Sequence, residues 1–261
     1  MLAEKGFQVF AGYRNAADAE RLRNLHARIL PVALDVTKLE SIADALATVE
    51  STLQGEGLAG LVNNAGIAVG GPLEFLPMAA LRQQLEVNVI GVAALTQACI
   101  PLLRQARGRV VNMGSIAGRS ALPFVGPYSA SKHALEALTD ALRVELRPWG
   151  IQVAIIEPGV IDTPIWDKSL RTATELEPQF PPGLMELYGR ALDILKKETQ
   201  KAGQRGIPPE QVANAVLHAL TSKRPRTRYL VGWDARLRMV FNLLPDRWQD
   251  WIIVKKVGFP G

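Results

Sequence analysis

The chain of 261 residues is 48% apolar and 21% charged, the composition of a globular domain with a sizeable core, which excludes disorder as its main state. Its net charge of +5 is local: from Lys223 onward nine basic residues stand against three acidic ones, and the remainder sums to about −1, so nucleic-acid binding by the whole domain has no support. One cysteine, Cys99, excludes an intrachain disulfide, and His26, His133 and His218 lack the spacing of paired ligands, so no metal site is expected. In chain order, residues 7–11 and 29–34 are apolar strand-sized runs, and 37–53 reads as a helix. Residues 58–62, 110–113 and 151–156 are further strands rich in β-branched side chains, separated by helical stretches over 77–103 and 128–146. Strands alternating with helices of this length predict a single α/β domain with a doubly wound, mainly parallel sheet. No apolar leader opens the sequence and no uncharged run is expected to approach the roughly 18 residues of a membrane span, so a cytoplasmic location is the default expectation.

In such sheets ligands lie beyond the carboxyl ends of the strands. Those ends read Leu34-Asp35-Val36-Thr37, Asn63-Asn64-Ala65-Gly66, Asn112-Met113-Gly114-Ser115 and Glu157-Pro158-Gly159-Val160-Ile161-Asp162-Thr163, with Tyr128-Ser129-Ala130-Ser131-Lys132 between the last two. A Tyr-x-x-x-Lys pair by itself is a weak signal. Joined to a serine 13 residues upstream, an Asn-Asn-Ala-Gly and a Pro-Gly, it resembles the short-chain dehydrogenase/reductase family over nearly all of the chain to about residue 165.

The residue types suit that chemistry. Hydride transfer at a carbonyl or alcohol carbon needs a matching proton transfer at the oxygen. Tyr128 is the candidate acid/base, but a free phenol titrates near 10. Lys132 lies one helical turn on, along the same face. At roughly 4 Å and an effective dielectric of about 20, its charge would favour the phenolate by about 4 kcal/mol, an upper estimate of about three pK units. Ser115 offers a hydroxyl to the substrate oxygen as charge develops there. The resemblance adds Asn88 as holder of a water that links Lys132 to solvent. His133, about 100° around the helix from Lys132, reads as structural, and Glu157 is expected in a backbone or cofactor-side role.

The resemblance implies a Rossmann-like fold and a nicotinamide cofactor. Asp35 and Val36 match the family's adenine-side contact, and Asn64, Ala65 and Gly66 its ribose-side loop. Pro158, Gly159, Ile161 and Thr163 match the nicotinamide-side loop, and Tyr128 and Lys132 also contact the cofactor. Arg14 follows the first strand where an acidic residue would accept the ribose hydroxyls of NAD, which points to NADP, with NAD as the alternative. One departure stands out: the family's opening strand and Gly-rich turn are not in this sequence, and residues 1–6 read as the end of the helix that should follow them. About 20 residues of a strand-turn-helix unit are thus expected to be missing, leaving two strand edges exposed.

Residues 165–207 fall where the family places a lid over the substrate, and their Ile165, Trp166, Leu170, Phe180, Leu184, Met185, Leu187 and Tyr188 suggest a lipophilic alcohol or ketone of steroid, retinoid or fatty type. A 3-ketoacyl thioester is the alternative substrate, and a catalytically silent binding or assembly protein, or an N-terminally truncated fragment, the alternative to an enzyme. A homo-oligomer is expected. Residues 1–228 are assigned to the oxidoreductase domain and 229–261 to a basic amphipathic tail. The tail carries Trp233, Trp248 and Trp251, a pattern that suits a peripheral membrane contact as well as a packed helix.

Overall fold

The Val-, Ile- and Leu-rich runs form six parallel strands, β1 (Val9–Tyr13), β2 (Ile29–Ala33), β3 (Gly60–Asn63), β4 (Arg109–Met113), β5 (Gln152–Pro158) and β6 (Arg228–Val231). Helices α1 (Ala16–Leu25), α2 (Leu39–Leu53), α3 (Met78–Leu85), α4 (Gly91–Ala106) and α5 (Gly126–Glu145) connect the first five, followed by α6 (Ile165–Leu176), α7 (Leu184–Arg205) and α8 (Pro209–Thr221) before β6, and α9 (Trp233–Phe241) and α10 (Asp246–Val257) after it. The computed structural model describes residues 1–181 and 183–258. The alternation is the crossover pattern expected of a doubly wound sheet.

The strands divide into a pair, β1-β2, and a four-stranded sheet, β3-β4-β5-β6. Among the described residues no strand lies between β1 and β3. A cavity of about 1060 Å³ opens between the two edges, lined by Val9, Phe10, Leu61, Val62, Leu95 and Cys99 among others. Ahead of it, Ala3–Lys5 forms a 3-10 turn closed by Gly6 at φ 92°, the helix ending foreseen for residues 1–6.

The core centres on β4 and β5, where Val110, Val111, Ile155 and Ile156 have no exposed surface. α3 and α4 form one helix, Met78–Ala106, through a π-helical turn at Glu86–Ile90. It is long and apolar enough to cross a membrane by composition, which corrects the expectation that no run approaches that length: residues 87–103 carry no charge. Here Val87, Leu95, Cys99 and Leu103 instead pack against β4 and β5 in the core. A second correction concerns the boundary at residue 228, which cuts through β6. The assigned tail therefore begins as a strand of the sheet, paired with β5.

Candidate active site

Parallel pairing brings the carboxyl ends of β3, β4 and β5 into line, with Asn63 opposite Asn112 and Asn112 opposite Ile155. A buried amide chain locks that register. Asn63 Nδ2 donates to Thr96 Oγ1 at 2.9 Å and to Asn112 Oδ1 at 2.8 Å, and Asn112 Nδ2 donates to Thr139 Oγ1 at 2.8 Å. α4 and α5 are thereby tied to the strand ends that carry the site. Asn63 and Asn112 stand in the strand-end motifs, but their role as a brace is visible only once the strands are adjacent.

Ser115 follows β4, buried, and caps the short turn after it by accepting from Ala117 N–H at 3.1 Å. Tyr128 and Lys132 stand on α5, one turn apart, with Lys132 Nζ 5.7 Å from the centre of the Tyr128 ring. The ammonium is anchored on the Met113 carbonyl at 2.7 Å, and burial lowers Lys132 to about 8 against the opposing charge of Glu136. Burial pushes the Tyr128 phenol up, and its hydrogen bond with the Ser115 hydroxyl pulls the other way. The lowering expected from Lys132 is thus not what these surroundings produce: desolvation of the phenol sets the direction, and the lysine is held on a backbone carbonyl. Ser115, Tyr128 and Lys132 are nonetheless brought together as the sequence spacing implied.

The π turn rotates Asn88 fully inward. Its Oδ1 accepts from Ile67 N–H at 2.9 Å, and its Nδ2 donates to the Ile67 carbonyl at 3.0 Å and to Ser131 Oγ at 3.1 Å. Gln84, which sequence reasoning missed, repeats the pattern with Val69 N–H at 2.7 Å and the Ile67 carbonyl at 2.8 Å. Both amides brace the loop after β3. A water held by Asn88 would have to use what remains of Oδ1, since both its N–H groups are engaged. A side chain at Gly66 would meet Asn88 Oδ1 at 3.5 Å and Lys132 Nζ at 3.9 Å, so the exposed Asn64-Ala65-Gly66 loop borders the Lys132 end of the site.

Arg14 is exposed after β1 and Asp35 half-buried after β2. Hydrogen bonds from the Thr37 hydroxyl at 2.7 Å and Thr37 N–H at 3.1 Å, aided by Arg14, hold the Asp35 carboxyl below the usual range. Val36 is buried against Gly91, where a Cβ would come within 2.7 Å of the Val36 carbonyl. Gly91 is thus a site-positioning residue whose only sequence signal was glycine at a helix start.

The loop after β5 is fixed from behind. Gly159 N–H donates to the Val231 carbonyl at 2.9 Å, and Ile207 closes a two-way pair with Val160 and Asp162. Trp166 Nε1 donates to the Ile161 carbonyl at 2.7 Å. Pro158, Gly159, Ile161 and Thr163 therefore occupy one ordered turn at the end of β5. Glu157 lies buried at the end of β5, 3.2 Å from Arg228 Nε and 3.5 Å from Arg119. Arg228 also meets Glu136 at 3.2 Å and Asp140 at 2.7 Å. Burial beside the Glu157 carboxylate raises Glu136 to about 7 despite Arg228. His133 Nδ1 lies 2.9 Å from the Ser129 carbonyl, its own helix's backbone, in keeping with a structural role.

In the lid region, α6 and α7 cover the loop after β3: Leu176 and Phe180 pack on Val69, Leu76 and Ala80, and the Tyr188 ring meets Phe75 and Phe124 edge-on. Leu184 is buried, but Met185 and Leu187 face outward, so only part of the apolar set lines the interior. Among the described residues there is no cluster of His, Cys, Asp and Glu that could hold a metal.

The family model for short chain dehydrogenases matches residues 1–174. The chain is 39% identical over 258 residues to 17-beta-hydroxysteroid dehydrogenase type 6 of Bos taurus, covering 96% of this chain and 81% of that protein. It is also 39% identical over 260 residues to retinol dehydrogenase 5 of Mus musculus, covering 97% and 81% respectively. A short chain dehydrogenase from Burkholderia cenocepacia, solved in complex with NADP, superposes with a TM-score of 0.70 at 27% identity over 99% of this chain and 90% of that one. With the Ser115, Tyr128 and Lys132 constellation at the ends of a doubly wound parallel sheet, these likenesses place the chain in the short-chain dehydrogenase/reductase family of oxidoreductases.

Proposed function

We propose that the chain interconverts a lipophilic alcohol and its ketone or aldehyde, of steroid or retinoid type, with NADP(H) as the hydride partner. The observation that carries this reading is the convergence of Tyr128, Ser115 and Lys132 beside the Gly66 cradle. The names of the two mammalian relatives support the substrate class, and the partly buried apolar lid suits it.

The residues present fit a dinucleotide along much of its length. Arg14 and Asp35 would take the adenosine end, Asn64, Ala65 and Gly66 the ribose, and Pro158, Gly159, Ile161 and Thr163 the nicotinamide. The exposed Arg14, and the NADP-bound Burkholderia structure, favour the phosphorylated form. When bound, the cofactor would supply or accept the hydride. The Tyr128 phenol would give the substrate oxygen its proton on reduction and take it back on oxidation. Ser115 would hold that oxygen by a hydrogen bond that strengthens as negative charge grows. Lys132, cationic below about 8, would stabilise the phenolate left behind. Asn88 would keep the loop after β3 in place through Ile67.

Tyr128→Phe is the test. General acid/base catalysis contributes about 10²–10⁴-fold, so turnover of a retinol- or steroid-type alcohol should fall by that much while NADPH binding, read by its fluorescence, persists. Undiminished turnover in the variant would overturn the reading.

The outward side of α9, α10 and their connection supports a second, separable role. Trp233, Leu237, Leu243, Trp248 and Trp251 are each at least 60% exposed, beside Arg236, Arg247, Lys255 and Lys256. This is a surface suited to an anionic bilayer. Flotation with anionic vesicles should weaken on Trp248→Ser with Trp251→Ser, and equal flotation would count against it.

A further inference from the structure

The segment after β6, a basic amphipathic tail by its sequence, sends its first helix back to grip both loops of the site. α9 follows Gly232, at φ 109°, and turns Ala235 fully inward. Asp234 Oδ2 accepts the Val160 N–H at 2.6 Å. A Cβ on Gly159 would overlap the Asp234 carboxylate, and one on Gly232 would meet Oδ1 at 2.5 Å, so the carboxylate is enclosed between two glycines. Its Oδ1 is buried without a hydrogen-bond partner. One turn on, Arg238 Nε donates to Ser120 Oγ at 2.6 Å and its Nη2 to the Ala121 carbonyl at 3.3 Å, and beyond the helix Asn242 Nδ2 donates to the Arg119 carbonyl at 2.8 Å. One short helix thus joins the turn after β5 to the segment that follows Ser115.

We propose that Asp234 is a positioning residue for nucleotide binding: its carboxylate sets the height of residues 158–163 from behind, and α9 couples that loop to the Ser115 segment through Arg238 and Asn242. The inference rests on the reading of residues 158–163 as the nicotinamide-side loop. A carboxylate accepting a backbone N–H makes a stronger bond than a neutral acceptor, and a side chain at 159 or 232 would collide with that carboxylate. With the bond removed, the loop can move away from the strand end and lose the geometry that a bound nucleotide needs.

The test uses the full chain with Asp234→Ala and Asp234→Asn, the second conserving size should the first fail to fold. Hydrogen exchange at Val160 and the dissociation constant for NADPH are measured on each, with Ile155 and Ile156 as internal exchange references. Asp234→Ala should speed Val160 exchange and weaken NADPH by about tenfold, the loss of one charge-assisted bond. Asp234→Asn, which keeps an acceptor oxygen, should recover part of both at an unchanged thermal midpoint. Faster exchange with NADPH affinity equal to the parent would overturn the positioning role, as would unaltered exchange. Failure of the unsubstituted chain to bind NADPH would overturn the reading of the loop itself, while the exchange measurement still reports on the clamp.

Discussion

The two sheets of this molecule are built from similar sequence and end up with different security. β4 and β5 are bonded on both sides and covered on both faces, so Val110, Val111, Ile155 and Ile156 lose all exposed surface. β1 and β2 have only each other: Val32 is their single buried side chain, and α1 beside them buries none. Tyr128, Lys132, Ser115 and Asn88 stand on the secure sheet and its helices. Arg14 and Asp35, which would choose the nucleotide, stand on the loose pair. These two groups of residues therefore rest on parts of unequal stability, joined where Val36 meets Gly91.

The sharpest contrast is between two identical substitutions. Val111→Ala should cost about 2–3 kcal/mol from lost burial and a residual cavity, while Val32→Ala should cost less than about 1 kcal/mol because a two-stranded ribbon can relax around it. Urea midpoints check this, and equal losses would erase the distinction between the sheets. At the joint, Gly91→Ala should lower stability by about 1–2 kcal/mol by overpacking against the Val36 carbonyl, and should weaken NADPH binding through the displaced Asp35 loop while leaving the Tyr128 surroundings intact.

A smaller effect is confined to the four-stranded half. Glu136 keeps its proton to about 7 in the folded chain against an ordinary 4.5, so the native state binds more protons over that window and stability falls as pH rises through it. Glu136→Gln should flatten the difference in urea midpoint between pH 5 and pH 7. Lys132, at about 8 against 10.5, acts in a separate range, with stability rising from about pH 8 to 10.5. The least effect belongs to the loose half: Asp18→Ala, removing an exposed pair with Arg21, should change stability by no more than about 0.5 kcal/mol.

The strand-helix alternation was readable because each period is a local property of the chain. Residues 128–146 became α5 (Gly126–Glu145) and 29–34 became β2 (Ile29–Ala33) within a residue or two. β6 was not foreseen, since Arg228–Val231 is short and gains strand character only by pairing with β5.

Sequence by itself determined that a lysine stands one turn from Tyr128 and that Ser115, Asn64-Ala65-Gly66 and Pro158-Gly159 lie at strand ends, because helical and strand spacing place nearby residues without reference to the rest. Only tertiary structure decided that the supposed tail reaches back to the site, with Asp234 meeting Val160 across 74 residues and Arg228 meeting Glu136 across 92. Contacts at that separation depend on how distant segments pack, and leave no periodic mark on the chain. The same holds for the raised Tyr128 phenol: spacing placed the cation near it, but burial, a property of the folded volume, set the direction of the shift.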